Sequence, residues 1–147
     1  MEEQNYIINL EKHETKDVKN QHINGNLVVV YRDYDKILKN EPKMVYVSSV
    51  NPGEVKGPHL HKKRNSYFLC VHGKVRFVIK EDSGKYIEID CSAEKPQFVF
   101  VPKNIPSAHI NLSGGISRIL TLADVSWKPN DNEMENVIFE NYKFENY

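Results

Sequence analysis

The segment from Gly53 to Gly73 reads Gly-Glu-Val-Lys-Gly-Pro-His-Leu-His-Lys-Lys-Arg-Asn-Ser-Tyr-Phe-Leu-Cys-Val-His-Gly. It sets His59 and His61 two residues apart, between a turn and an apolar run. In an extended chain, residues two apart point to one face of a sheet. Two imidazoles side by side either ligate a metal or carry a proton near neutral pH. Metal sites in small β-barrels add to His-x-His a carboxylate about four or five residues on and a later histidine. Here those carboxylate positions are Asn65 and Ser66, and neither supplies an anionic oxygen. With His109, in Pro-Ser-Ala-His-Ile-Asn, at most a three-histidine set is left.

The balance therefore falls on proton chemistry with no metal. A histidine titrating near neutrality is suited to removing a proton from carbon next to a carbonyl. The enolate oxygen that results needs a cation or a fixed donor. Lys56, Lys62, Lys63, Arg64 and Arg118 lie in or near the candidate segments, and Lys56 sits inside the motif itself. Lys63 and Arg64 read as a solvated turn. Tyr67 opens the next strand as an acid, a stacking ring or a core aromatic. Trp127 reads as packing, His72 as exposed beside the hairpin Gly73, and His13 and His22 carry no assignment.

The elements that must position these residues are almost all β. Short β-branched and aromatic runs cover Leu27–Tyr31, Met44–Val50, Tyr67–Val71, Val75–Ile79, Tyr86–Asp90, Phe98–Val101, a stretch around His109, and Ile116–Asp124. Gly, Pro, Asn and Asp separate them. Val75, Phe77 and Ile79 alternate with Lys74, Arg76 and Lys80, which predicts one buried and one wet face. So many short strands close into a barrel or sandwich, since open edges invite aggregation. The expectation is an all-β jelly roll in a single domain. Only Asp35–Asn40 looks helical, for a turn or two. Residues 1–24 form a polar N-terminal segment in which Tyr6–Leu10 can pair as a strand. Residues 25–147 form the barrel, with an aromatic tail after Trp127 that caps it or pairs with a neighbouring subunit.

Composition sets the remaining bounds. The 147-residue chain carries 20 basic and 20 acidic residues, so no nucleic-acid or anionic-membrane footprint is expected. No apolar run reaches the roughly 18 residues of a membrane-spanning helix. The acidic start Met-Glu-Glu-Gln-Asn lacks a signal core, which predicts a cytoplasmic protein. Cys70 and Cys91 stand in different strands without CxxC spacing and are expected to be reduced.

The residues resemble a family. Gly53-x5-His59-x-His61-x4-Ser66-x6-Gly73 is similar to the first cupin motif with its carboxylate replaced. Lys56-Gly-Pro-His59 resembles the Arg-Gly-x-His signature of the RmlC-like nucleotide-sugar cupins, the dTDP-4-keto-6-deoxyhexose 3,5-epimerases and the sugar 3,4-ketoisomerases. Val101-Pro102 followed by His109, and Trp127-x-Pro129, resemble later landmarks, so the likeness runs from about Gly25 to Phe144.

The resemblance implies a cupin jelly-roll homodimer that needs no cofactor and acts on a nucleotide-linked 4-keto-6-deoxy sugar. His59 matches the base that takes the proton next to the ketone, and His61 is its partner. Lys56, Lys62, Tyr67, His109 and Arg118 are the candidate substrate contacts. Lys56 replaces the family arginine, keeping the charge but losing the bidentate fork. Counting back from Trp127, the tyrosine of the epimerases falls on Thr121. His61-Lys62 is closer to the His-x-His-Lys of the ketoisomerases, whose enediol chemistry His59 and His61 would divide. Two alternatives remain: a non-catalytic cupin that binds a sugar or small anion, and a three-histidine metal enzyme.

Overall fold

The computed structural model describes residues 4–144. Among them are twelve strands: β1 (Ile7–Asn9), β2 (Lys12–Lys16), β3 (Ile23–Val28), β4 (Met44–Val50), β5 (Val55–His61), β6 (Ser66–His72), β7 (Lys74–Lys80), β8 (Tyr86–Ser92), β9 (Gln97–Val101), β10 (Ser107–Asn111), β11 (Ser117–Ala123) and β12 (Met134–Asn136). One five-stranded sheet has the order β1-β9-β6-β11-β4, and a second the order β12-β5-β10-β7-β8. The chain passes from one sheet to the other at Gly73, where φ is +81° and a Cβ would collide with Ser117. Glycine alone accepts both constraints.

The predicted alternation holds on β7. Val75, Phe77 and Ile79 meet Phe68, Cys70, Val99 and Ile119 between the sheets. Arg76, on the outer face, forms an ion pair with Asp90 at 2.6 Å. Cys70 and Cys91 are free and buried in this same core. Both outer faces are partly covered. Leu10, Val28, Val30, Ile37 and Leu38 lie over Tyr67, Leu69, Phe98 and Phe100 of the first sheet. Val137, Phe139, Tyr142 and Phe144 from the tail lie over Val78, Ala108 and Tyr86 of the second. No helix among the described residues is long and apolar enough to cross a membrane.

Three expectations need correction. Asp35–Asn40 is irregular chain ending in a bend and not helix, because Ile37 and Leu38 are drawn into the outer cluster and the Lys39 amide donates to the Tyr67 hydroxyl at 2.9 Å. The strand expected at Leu27–Tyr31 instead runs Ile23–Val28, so Asn24-Gly25-Asn26 lies within a strand and not in a turn. The real turn is upstream: Asp17 Oδ1 accepts from the Lys19 and Asn20 amides at 2.8 and 3.2 Å, closing a β2–β3 hairpin.

Packing differs between the two ends of the barrel. Inward positions at one end hold Ile119, Cys70 and Val50, all buried. Further along the same strands, inward positions hold Thr121 and Ala123 on β11, Ser66 on β6 and Ser48 on β4. Small side chains there leave space that large ones fill elsewhere.

Candidate functional site

That space is a cavity of about 370 Å³, and β5 supplies its reactive wall. Ser107 of β10 pairs with His59, but His109 pairs with Lys56, so the register slips by one residue at Gly57-Pro58. Gly57 has φ +90°, and a Cβ there would stand 2.9 Å from the Ser107 carbonyl oxygen. A bulge of this kind re-aims the side chains that follow it. Lys56 and His59, three apart, therefore share a face with His61, and all three line the cavity. Strict alternation would have turned Lys56 away.

His61 is held by a carboxylate. Its Nδ1 lies 2.8 Å from Glu133 Oε2, and Glu133 is almost fully buried. The other carboxylate oxygen accepts the Arg64 and Lys63 amides at 3.0 and 3.2 Å, and the Glu133 carbonyl accepts the Lys62 amide at 2.9 Å. Burial alone would raise the Glu133 pKa. The His61 bond and the two amides outweigh it, leaving the carboxyl below its ordinary value and charged at neutral pH. With Nδ1–H committed to Glu133, the nitrogen His61 presents for chemistry is Nε2.

His59 is half-buried and has the opposite bias. Burial, then electrostatic repulsion from the neighbouring His61 and Lys56, hold its pKa below the ordinary histidine value, so it is neutral and able to accept a proton at pH 7. His109 is pushed further, to about 3, by burial and then by Lys56 and His59. It packs against the Phe77 and Phe68 rings at 5.2 and 6.1 Å and forms a wall that is neutral at pH 7. Among the described residues no group of three or more His, Cys, Asp or Glu side chains is disposed to hold a metal ion.

Of the expected contacts, Lys56, His59, His61 and His109 come together, and three others lie elsewhere. Tyr67 faces the outer cluster, stacked on Phe100 at 4.8 Å, because its neighbour Phe68 takes the inward position. Arg118 likewise alternates with the inward Ile119 and donates to Ser49 Oγ at 2.8 Å. Lys62 is half exposed beside Glu135, 3.7 Å away.

Other residues enter the site unannounced. Arg64 is 6% exposed and lines the cavity, where a solvated turn was expected. Trp127 lines it too, yet its indole is 65% exposed, a rim rather than packing. Tyr46 and Ser48 point inward from β4 while Val45 and Val47 stand exposed, the reverse of the usual pattern. Tyr46 pairs across strands with Thr121, which places a phenol beside the position where the epimerase tyrosine was sought. The only sequence signal for Glu133 was its type, in a tail that looked like turns. The buried side-chain polar atoms lacking a partner among the described residues are Arg64 Nε, Ser66 Oγ, His109 Nε2 and Thr121 Oγ1. Of these residues, Arg64 and His109 line the cavity, where a polar ligand would supply a partner.

The family described as FdtA: WxcM-like, C-terminal matches residues 4–143. The chain belongs to this family. No curated protein matches the sequence. The FdtA-family chain shares its jelly roll with a dTDP sugar isomerase from Desulfovibrio desulfuricans G20, at a TM-score of 0.77 and 13% identity over 92% of this chain and 84% of that one. A 3,4-ketoisomerase from Helicobacter canadensis is similar at a TM-score of 0.68 and 23% identity, over 88% of this chain and 87% of that one. The capsular polysaccharide assembling protein CapF from Staphylococcus aureus is similar at a TM-score of 0.62 and 24% identity. That match covers 67% of this chain and 29% of CapF, so the FdtA-family chain spans less than a third of CapF's length.

Proposed function

We propose that this FdtA-family protein is an isomerase of a nucleotide-linked 4-keto-6-deoxy sugar that moves the ketone from C4 to C3. The observation that carries the reading is one cavity holding a neutral His59 beside a His61 whose Nδ1 is fixed by a buried carboxylate. The reaction moves two protons: the one on C3 must reach C4, and the one on the C3 hydroxyl must reach the C4 oxygen. His59 takes the carbon-bound proton, leaving an enediolate, exchanges it with solvent and protonates C4. His61 Nε2 accepts the hydroxyl proton, Glu133 stabilises the imidazolium that forms, and the proton is delivered to the C4 oxygen. Lys56 and the Tyr46 hydroxyl stand by for the developing oxyanion. Two structural neighbours described as a dTDP sugar isomerase and a 3,4-ketoisomerase support this substrate class. Others are described as a 4-keto-6-deoxy sugar epimerase and as a 3'-monoepimerase in complex with dTDP-quinovose, so epimerisation is the outcome to distinguish.

The working unit in this reading is a homodimer. Val45 and Val47 are exposed on the edge strand β4, and among the described residues the β2–β3 hairpin pairs only with itself, so both offer surface to a second copy. Light scattering at micromolar concentration tests it, and a monomer contradicts it. The reaction is tested by NMR of dTDP-, UDP- and GDP-4-keto-6-deoxy sugars with the protein in deuterated water. Deuterium at C4 of a 3-keto product supports ketoisomerisation, deuterium at C3 and C5 of an unmoved ketone supports epimerisation, and binding without exchange supports a sensor.

A further inference from the structure

Among the described residues, Arg64 is a charge left without an explanation. It follows the His-x-His segment by three residues and is 6% exposed. Its backbone amide is used, donating to Glu133 Oε1 at 3.0 Å. Its side chain is not: Nε is buried without a partner, and the guanidinium makes no hydrogen bond or ion pair among the described residues. Asp131 is near enough for its carboxyl to feel the charge, yet its oxygens accept the Glu133 and Lys128 amides. A buried guanidinium with its fork unused is costly unless an anion completes it. Native chains keep such a group where a ligand supplies the missing acceptors.

Its position says which part of a ligand that is. Arg64 lines the reactive cavity and also a second trough running outward past Trp127, Lys128 and Asn130. The two share His61, Arg64, Trp127 and Met134. A sugar placed against His59 and His61 would leave its substituent pointing out through this junction. Resting on the nucleotide-sugar reading above, we infer that Arg64 is the anchor for the diphosphate of the substrate, gripping it bidentately where the sugar cavity opens into the trough. Lys56 then stays with the sugar oxygens, and the nucleoside lies along the Trp127 rim. The planar fork matches two phosphate oxygens as a lysine cannot.

The test uses thymidine diphosphate, inorganic pyrophosphate and thymidine as calorimetric probes, alongside steady-state turnover of the 4-keto sugar. Arg64→Met keeps the stem and removes the charge, Arg64→Lys keeps the charge and removes the fork, and Lys85→Gln removes one charge on the β7–β8 turn. Arg64→Met is expected to weaken diphosphate and pyrophosphate binding roughly tenfold to a hundredfold, leaving thymidine unaffected. Arg64→Lys should fall between, and Lys85→Gln should match the parent protein. In turnover, Arg64→Met should raise KM far more than it lowers kcat. Should Arg64→Met not fold, the Arg64→Lys loss decides alone. Turnover with unchanged diphosphate affinity in the Arg64 variants overturns the anchor and leaves the reaction standing. Arg64-dependent pyrophosphate binding without exchange on any 4-keto sugar overturns the reaction and leaves the anchor. Failure of the parent protein to bind either diphosphate probe overturns the anchor.

Discussion

Replacing Glu133 with Gln isolates the element that makes His61 differ from His59. One carboxylate oxygen of Glu133 takes His61 Nδ1–H at 2.8 Å, and the other takes two backbone amides at 3.0 and 3.2 Å. A carboxamide has one acceptor oxygen and so cannot do both. If its NH2 faces His61, the ring must flip to the tautomer with hydrogen on Nε2, the wrong end for accepting a substrate proton. If its NH2 faces the amides, two buried donors meet a donor. Either arrangement forfeits a hydrogen bond to a charged group in a nearly dry site, about 1.5–3 kcal/mol. Chemistry loses a comparable amount, since the imidazolium formed during transfer no longer has a counter-charge, and kcat should fall roughly tenfold to a hundredfold. The stability arm has a defined sign. Glu133 titrates below its unfolded value of 4.5, so its contribution is present above that pH and is lost as pH falls through the folded value. The parent protein should therefore lose this component on acidification below about 4.5, and Glu133→Gln should lack it at every pH. Urea melts from pH 3 to 7 and the pH profile of kcat make the assay. A variant with the parent's kcat, the parent's pH profile and the parent's acid limb would refute the dyad.

Two further outcomes follow from the same geometry. His109 titrates near 3 when folded against 6.5 unfolded, so the protein should lose about 1.4 kcal/mol per pH unit from this group as pH falls below 6.5. His109→Gln should flatten that slope in the same urea melts, and an unchanged slope would count against the buried neutral ring. Gly57→Ala places a Cβ 2.9 Å from a carbonyl oxygen at φ +90°, so it should cost on the order of 2 kcal/mol by thermal melting and misplace Lys56 and His59, raising KM and lowering kcat together. A variant as stable and active as the parent would show that the bulge does not set the site.

Much of this was legible in the sequence because it is local. Period-two alternation on β7 and β8 depends only on neighbouring residues, and those strands lie where the pattern puts them. His59 and His61 share a face for the same reason. What was hidden depends on long-range packing or on a break in the period. Lys56 joins the site through a one-residue bulge that the Gly57-Pro58 pair permits but does not announce. Glu133 reaches His61 across 72 positions of sequence, through a three-residue strand too short to carry a pattern. Arg64 looked solvated in a Lys-Lys-Arg run, yet it is buried and its amide is held by Glu133, 69 positions on. Tyr46 was masked by Val45 and Val47, whose exposure inverts the usual rule. Tyr67 and Arg118 show the converse: parity decides which way a strand residue points, and their neighbours Phe68 and Ile119 hold the interior.

The central claim is that His59 moves the carbon-bound proton. His59→Asn, kept folded as judged by its melting curve, should bind the 4-keto sugar nucleotide and leave its α-proton unexchanged in deuterated water, where the parent protein exchanges it within turnover time. Exchange at the parent's rate in that variant would contradict the account.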